Sequence, residues 1–397
     1  MTHDPRSLVR RQAVPVSVSR PVVTPIWPSV VYRSTDADEL DAQYEGREQG
    51  FTYAREGHPN AAMLAEKIDW LEGARGGVIT GSGMAAVSAL FLGLLEAGDH
   101  VVAGDQLYGR SQRLLTRDLP RMGFAATLAD ATRAGQVEAA IRPETRLLLV
   151  ELVSNPTLRI ADIEGLARIA ERYGLVLAVD NTFTTPLAFR PLEHGAHVVI
   201  HSVTKLLAGH ADVTLGYIVG DNEQRNTAFR DAAVTWGLTG SPFDCWLAER
   251  GLYSFELRFE RALANAKRLA EFLSTQDGVE SVLYPGLESH PDHARAVALL
   301  GGNAGHFGNM VSFTLAGGRA AVNAFLRRAE HIAFAPTLGD IGTTLSHPAS
   351  SSHRVLTPEG REALGIGEGF IRVSVGVENI DQLTTEFAAA IEASRSA

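Results

Sequence analysis

Two apolar segments of the sequence each end at a charged residue that could take part in catalysis. Lys205 follows residues 198–200 in the stretch His-Ser-Val-Thr-Lys, and Asp180 follows residues 175–179. Apolar runs of this length predict buried strands, and a lysine beside one is costly unless its amine is paired, neutral or covalently bound. An acid and an amine so placed fit a carbonyl cofactor held as a Schiff base, with the acid on a protonated ring nitrogen. A structural Asp–Lys ion pair explains the same two residues equally well.

A glycine-containing turn and a tyrosine follow two other apolar segments. Residues 80–84, Thr-Gly-Ser-Gly-Met, stand between a predicted strand and a predicted helix, where backbone amides and the helix dipole could hold an anion. The turn lacks the GxGxxG and P-loop motifs, which disfavours dinucleotide and nucleoside triphosphate ligands. Tyr108 could stack on a flat cofactor ring and transfer protons. Each feature has a structural alternative: a packing turn, strand-end caps at Ser202 and Thr204, or a half-buried loop tyrosine.

The elements that must position these residues alternate between strands and helices. Predicted strands lie at residues 77–80, 100–103, 125–128, 147–152, 175–179, 197–200 and 215–219, with helical patterns between them. This alternation predicts a mainly parallel seven-stranded sheet with helices on both faces. Ligands bind beyond the carboxyl ends of such strands, which is where Asp180 and Lys205 fall.

The length of 397 residues and a change of pattern near residue 250 predict more than one domain. We predict an N-terminal arm at residues 1–59, a large α/β domain at 60–250 and a smaller α/β domain with an antiparallel sheet at 251–397. One long helix at about residues 246–272 is expected to join the two domains.

Composition limits the classes of partner. The net charge of −10 argues against nucleic acid, and the chain has no apolar run long enough for a membrane span. Cys245 is the single cysteine, which excludes an intramolecular disulfide; its apolar neighbours suggest packing. No metal site is predicted, and the absence of a secretory signal pattern favours a cytoplasmic protein.

Several short motifs together carry a family resemblance that runs from about residue 22 to the C-terminus. The sequence resembles the Cys/Met-metabolism family of pyridoxal-phosphate enzymes: cystathionine γ-synthases and lyases, methionine γ-lyases and homoserine-ester sulfhydrylases. The motifs are Tyr-Ala-Arg-Glu-Gly from Tyr53, Ser-Gly-Met-Ala-Ala from Ser82, Leu-Tyr-Gly from Leu107, Ser-Asn-Pro from Ser154, Val-Asp-Asn-Thr-Phe from Val179, His-Ser-Val-Thr-Lys from His201, Ser-Pro-Phe-Asp from Ser241, His-Pro-Ala-Ser from His347 and Arg-Val-Ser-Val-Gly from Arg372.

The resemblance implies the aspartate-aminotransferase-like type I fold, pyridoxal 5′-phosphate as cofactor, and a homotetramer built of tight dimers. It also implies a role for each matching residue. Lys205 would be the Schiff-base lysine and proton shuttle, Asp180 would lie at the ring nitrogen, and Asn155 would lie at the ring 3-oxygen. Tyr108 would stack on the ring and act as acid or base. The phosphate would be held by the Gly83 and Met84 amides with Ser202 and Thr204, and by Tyr53 and Arg55 from a neighbouring subunit.

The residues implied for the substrate include departures from the family pattern. Arg372 would bind the α-carboxylate of the substrate, and the segment from Thr337 to Gly342 would border the distal part of the substrate. Gly342 stands where members often carry Glu or, in some sulfhydrylases, Lys, which places cystathionine in doubt as substrate. Arg110 stands where small residues are usual, and we expect it to suit an anionic distal group.

The expected reaction is γ-elimination or γ-replacement on a homoserine- or homocysteine-type amino acid. Cystathionine β-elimination is the nearest alternative. A catalytically silent homologue is the other alternative, and the presence of Lys205, Asp180, Tyr108 and Arg372 argues against it.

Overall fold

The computed structural model describes residues 17–302, 305–354 and 356–396. The strands of its first sheet are β1 Val78–Thr80, β2 His100–Gly104, β3 Ala125–Ala129, β4 Thr145–Glu151, β5 Val176–Asp180, β6 Val198–His201 and β7 Gly216–Gly220. Their spatial order is β1-β7-β6-β5-β4-β2-β3. Strands β2 to β6 are parallel, and β7 pairs antiparallel with both β1 and β6. The prediction of a mainly parallel seven-stranded sheet is confirmed.

Helices cover both faces of this sheet because alternate strand residues point to opposite sides. Leu147 and Leu149 pack in one apolar cluster, whereas Leu148 and Val150 pack in another. The α-helices among the described residues are α1 Ala37–Tyr44, α2 Pro59–Glu72, α3 Gly83–Leu94, α4 Gly109–Arg113, α5 Ala134–Ala139, α6 Ile163–Tyr173, α7 Thr185–Ala188, α8 Glu223–Thr235, α9 Pro242–Leu252, α10 Phe255–Leu273, α11 His293–Leu300, α12 Gly318–Arg328, α13 Pro358–Ala363 and α14 Ile380–Arg395. Within the described ranges, none of them is long and apolar enough to cross a bilayer.

A second sheet follows along the chain, with one strand pair that the sequence did not predict. Its strands are β8 Val279–Leu283, β9 Met310–Leu315, β10 Ala333–Phe334, β11 Thr344–Ser346 and β12 Phe370–Ser374, in the order β10-β11-β12-β9-β8. All pairs are antiparallel except β10 with β11. Strands β10 and β11 are too short to produce a periodic sequence pattern. The boundaries at residues 59 and 250 stay a prediction.

The prediction of a single helix over residues 246–272 is wrong, because a turn separates α9 from α10. Tyr253 and Ser254 form a turn there, with their amides donating to the carbonyl groups of Arg250 and Gly251. A Cβ at Gly251 would lie 2.3 Å from the carbonyl oxygen of Ala208. The last turn of α9 therefore packs closely against the loop after β6, a contact that periodicity alone does not reveal.

Candidate active site

Lys205 lies in the loop that follows β6, at the carboxyl edge of the first sheet. Its amide donates to the Ser202 carbonyl at 3.1 Å, and its own carbonyl accepts from the Gly209 amide at 2.8 Å. Burial chiefly, and the nearby Arg372 guanidinium in addition, lower the pKa of the Lys205 amine. A lowered pKa makes the neutral, nucleophilic amine more available at neutral pH.

Asp180 ends β5 and is fixed through one carboxylate oxygen. Its Oδ1 accepts hydrogen bonds from the Thr182 amide at 3.0 Å and the Thr182 hydroxyl at 2.5 Å. The Thr182 hydroxyl oxygen in turn accepts from the Ser202 amide at 2.8 Å. Burial raises the pKa of Asp180, and the Thr182 hydrogen bonds and His201 oppose that shift. Thr182 therefore links the acid to the loop that carries Lys205.

The turn after β1 leads into α3 and approaches the same loop. A Cβ at Gly83 would lie 2.7 Å from Ser202 Cβ, so only glycine allows this contact. Ser82 caps α3 by accepting from the Ala85 amide, while the Gly83 and Met84 amides belong to the first turn, where intrahelical acceptors are lacking. The turn, the helix dipole and the Ser202 hydroxyl together suit a phosphate.

Thr204 lies in the same loop, but its hydroxyl already has two partners. It donates to the Leu215 carbonyl at 3.1 Å and accepts from the Leu215 amide at 3.0 Å. The predicted contact of Thr204 with a phosphate therefore requires its hydroxyl hydrogen to turn away from Leu215.

Arg372 comes from β12 of the second sheet and reaches the loop after β4. Its Nη1 donates to Asn155 Oδ1 at 2.8 Å, and its Nη2 donates to the Thr337 carbonyl at 2.7 Å. The side chain is buried, and its Nε has no partner among the described residues. Burial lowers the Arg372 pKa to about 10. A buried guanidinium with an open donor suits a bidentate carboxylate ligand.

Tyr108 and Arg110 border the exposed side of this cluster. The Tyr108 side chain is half exposed, and its amide donates to Glu151 Oε1 at 2.6 Å. A Cβ at Gly109 would lie 2.7 Å from the Ser352 carbonyl oxygen, so the tyrosine loop packs closely against the segment after β11. Arg110 is exposed and has no ion pair within the described part of the chain.

The segment from Thr337 to Gly342 packs against the loop that carries Lys205. The Ile341 amide donates to the Gly209 carbonyl at 2.8 Å, and a Cβ at Gly339 would lie 2.7 Å from the Leu206 amide nitrogen. A Cβ at Gly342 would meet only Glu378 Oε1, at 3.8 Å. There is room for a side chain at this position.

Tyr53 and Arg55 bind elsewhere on their own chain. Arg55 Nη1 donates to the Val234 carbonyl at 3.2 Å, and its guanidinium lies 5.4 Å from the centre of the Tyr53 ring. Within the described residues, neither side chain bonds to the turn at Gly83 or to Ser202. Tyr53 and Arg55 are therefore not part of the cluster that the other predicted site residues form on the same chain.

Arg258 stabilises the Lys205 loop and was not predicted. Its guanidinium donates to the carbonyl groups of Leu206, Leu207 and Gly251 at 2.9–3.1 Å. Gly209 has a φ of +75°, and a Cβ there would lie 1.8 Å from Arg258 Nη1. The role of Arg258 could have been suspected from the sequence, because this charged residue shares the buried face of α10 with apolar residues.

A buried pair before Ser202 was also not predicted. His201 Nε2 bonds to Glu72 Oε1, and the Asn181 side-chain amide donates to the same oxygen at 3.2 Å. This pair joins α2 to the ends of β5 and β6, and it fixes the backbone on which Asp180 and Ser202 lie.

These groups fit pyridoxal 5′-phosphate. The turn at Gly83 leaves no room for a Cβ and presents free amides beside Ser202. Asp180 is held through Oδ1, and no hydrogen bond from the described residues reaches its Oδ2. Lys205 likewise has no ion pair in that part of the chain, so an anion cradle, a carboxylate with one open oxygen and an amine occur together.

Comparisons with known proteins point the same way. A model of the Cys/Met metabolism PLP-dependent enzyme family matches residues 7–392. An L-methionine γ-lyase from Porphyromonas gingivalis is 37% identical over 370 residues, covering 92% of this chain and 91% of that protein. An O-succinylhomoserine sulfhydrylase from Pseudomonas aeruginosa is 39% identical over 365 residues, covering 92% and 89%. A cystathionine γ-synthase from Xanthomonas oryzae pv. oryzae, solved in complex with cystathionine, aligns with a TM-score of 0.88 and 35% identity over 94% of each chain.

Proposed function

The chain belongs to the Cys/Met metabolism PLP-dependent enzyme family, and on that premise we propose that it acts on a homoserine- or homocysteine-type amino acid with a leaving group at Cγ. It is a pyridoxal-phosphate enzyme of γ-elimination or γ-replacement. The β-elimination alternative is not favoured: one of the relatives is a cystathionine β-lyase, but several methionine γ-lyases, a cystathionine γ-lyase and a cystathionine γ-synthase outnumber it.

One observation supports the proposal most directly: two sheets contribute to one cluster. Asp180 and the Lys205 loop lie at the carboxyl edge of the first sheet, joined through Thr182. Arg372 of the second sheet bonds to Asn155 at 2.8 Å. A cofactor held by the first sheet would therefore meet a substrate carboxylate held by the second.

We assign the roles as follows. Pyridoxal phosphate supplies, when bound, a carbonyl for the substrate amine and a ring that accepts electrons. Arg372 orients the α-carboxylate, and Lys205 moves protons at Cα and Cβ. Asp180 keeps a negative charge beside the ring nitrogen, where it favours protonation. Tyr108 delivers a proton to the leaving group on the exposed side of the cluster.

The substrate screen that tests this proposal uses O-succinyl-, O-acetyl- and O-phosphohomoserine, cystathionine, methionine and other γ-substituted amino acids. Release of 2-oxo acid is recorded with and without cysteine or sulfide. We expect turnover of at least one γ-substituted substrate. Release of 2-oxo acid from cystathionine with homocysteine as the only thiol product would instead indicate β-elimination, and a colourless protein without turnover would indicate a silent homologue.

The N-terminal arm suggests how subunits share a site, and we include a homotetramer of tight dimers in the proposal. Val18, Val22 and Val31 of the arm are largely exposed on the isolated chain. Burial of such apolar side chains against a neighbour favours association. Tyr53 and Arg55 would then reach the phosphate of the neighbouring subunit. The single, buried Cys245 supports the further proposal of a cytoplasmic location.

Arg55 provides a test of the shared site. We expect Arg55→Ala and Lys205→Ala subunits to be inactive alone and to recover activity in about a quarter of the sites when mixed at random, since each hybrid dimer has one complete site. Activity is measured after reassembly, with hybrids verified by mass spectrometry. The exposed arm variant Arg33→Ala is the control and should stay active. Verified hybrids without activity would place both residues in one chain's own site.

Gly342 provides a test of substrate preference. An acidic partner for a distal ammonium contributes about 1.5–3 kcal/mol, so we expect its absence at position 342 to weaken cystathionine handling by roughly 10- to 100-fold. The nearby Glu378 does not replace it, because both of its carboxylate oxygens already accept hydrogen bonds from Thr343. We expect Gly342→Glu to raise kcat/KM for cystathionine relative to homoserine esters. The uncharged Gly342→Gln is the size-matched control. A wild-type enzyme that prefers cystathionine over every other γ-substituted substrate would refute this role.

A further inference from the structure

Glu151 is a second carboxylate at the sheet edge, and neither the cofactor nor the substrate roles above use it. It ends β4 and stands opposite Asp180 in the register of β4 and β5. Its Oε1 accepts the Tyr108 amide at 2.6 Å. Glu151 is therefore linked to one residue of the site through a hydrogen bond and to another through strand pairing.

The charges around Glu151 disfavour a second anion. Its Oε2 is buried and has no hydrogen-bond partner among the described residues. Asp180 faces it from β5, and Asp105, Asp130 and Arg159 line a small cavity beside it. Arg159 does not compensate, because Asp292 already binds its guanidinium through both oxygens, at 2.6 and 3.2 Å.

The proton of this pair belongs on Glu151 for physical reasons. Burial, and Asp180 in addition, raise the pKa of Glu151 well above its usual range, and they outweigh the opposing hydrogen bonds from the backbone amides of Tyr108 and Asn155. Asp180 is only partly buried, and two hydrogen bonds from Thr182 stabilise its anion. When neighbouring carboxyl groups disfavour each other's ionised form, the one whose anion is better solvated and hydrogen-bonded keeps the charge.

We propose that Glu151 is a positioning residue that acts as a neutral carboxylic acid: its carbonyl oxygen holds the Tyr108 backbone, and its protonation leaves Asp180 as the single anion of the pair. This deepens the proposed function and depends on it only for the roles of Tyr108 and Asp180. The carboxyl group itself neither gains nor loses its proton during turnover.

Glutamine separates this role from the alternatives, because it matches a neutral acid in shape and keeps the carbonyl acceptor. We expect Glu151→Gln to stay within about threefold of the wild type in kcat, with an unchanged pH profile. We expect Glu151→Ala to lose about 10- to 100-fold, because the Tyr108 amide then has no acceptor. Glu144→Gln, the same change at the exposed residue before β4, is the control.

The state of Glu151 is also measurable without turnover. The infrared difference spectrum of wild type minus Glu151→Gln, on holoenzyme and apoprotein near neutral pH, should show the carbonyl band of a protonated acid. A carboxylate band would overturn the proposal whatever the substrate is. So would a Glu151→Gln variant that is as impaired as Glu151→Ala, or a fully active Glu151→Ala. Thermal melting and the affinity for pyridoxal phosphate identify a folding defect in the alanine variant.

Discussion

Lys205→Ala is expected to abolish the visible absorption band of the cofactor linked to the lysine and to lower kcat at least about 10³-fold. The substitution removes the covalent attachment and a proton-transfer group at once, and general acid–base catalysis alone contributes roughly 10²–10⁴-fold. Spectra and single-turnover measurements on the purified variant check both effects.

The chain offers an unusually clean control, because Lys67, Lys205 and Lys267 are its only lysines. The Nζ atom of Lys67 lies 5.3 Å from the centre of the Tyr253 ring and 3.7 Å from Glu249 Oε1, away from the candidate active site. Lys67→Ala and Lys267→Ala should keep both colour and turnover. Borohydride treatment of the wild type should fix the cofactor on the Lys205 peptide. A Lys205→Ala protein that still fixes it by reduction would refute the assignment.

Asp180→Ala is expected to lower kcat by roughly 10²–10³-fold, the usual loss when one preorganised electrostatic partner is removed. Without this carboxylate, the ring nitrogen loses the charge that favours its protonation, and negative charge at Cα loses its acceptor. The measurement is kcat at saturating cofactor. Activity within about tenfold of the wild type would mean that another group protonates the ring.

The isosteric variant Asp180→Asn separates charge from shape. It should lose activity as Asp180→Ala does, whereas Glu151→Gln, one strand away, should not. The Asp180 pKa is raised in the folded state. Such a carboxyl destabilises the fold at pH values above its folded pKa and has no effect below its unfolded pKa. Asp180→Asn apoprotein should therefore be no less stable than the wild type at neutral pH, as measured by thermal melting.

Local patterns along the chain determined much of the site. Apolar runs that end in Asp180 and in the segment before Lys205 predict adjacent buried strands, because alternation with helices forces parallel pairing. Parallel strands align their carboxyl ends, so the acid and the amine lie at one edge. The Gly83 turn lies at the same edge because β1 and β6 both pair antiparallel with β7 and therefore run in the same direction. The motifs around these residues added the family and the cofactor.

Tertiary structure alone decided the contacts between segments that are distant along the chain. The bond between Arg372 and Asn155 joins residues 217 positions apart and depends on how the second sheet packs against the first. The opposition of Glu151 and Asp180 depends on strand register, and the binding of loop carbonyl groups by Arg258 depends on how α10 packs against the loop. Periodicity specifies which face of an element is buried, whereas register and packing select the partner. For that reason the sequence predicted the candidate site residues that carry a motif, whereas only the fold decided which of them stand beside one another and which further residues, such as Arg258 and Glu151, support them.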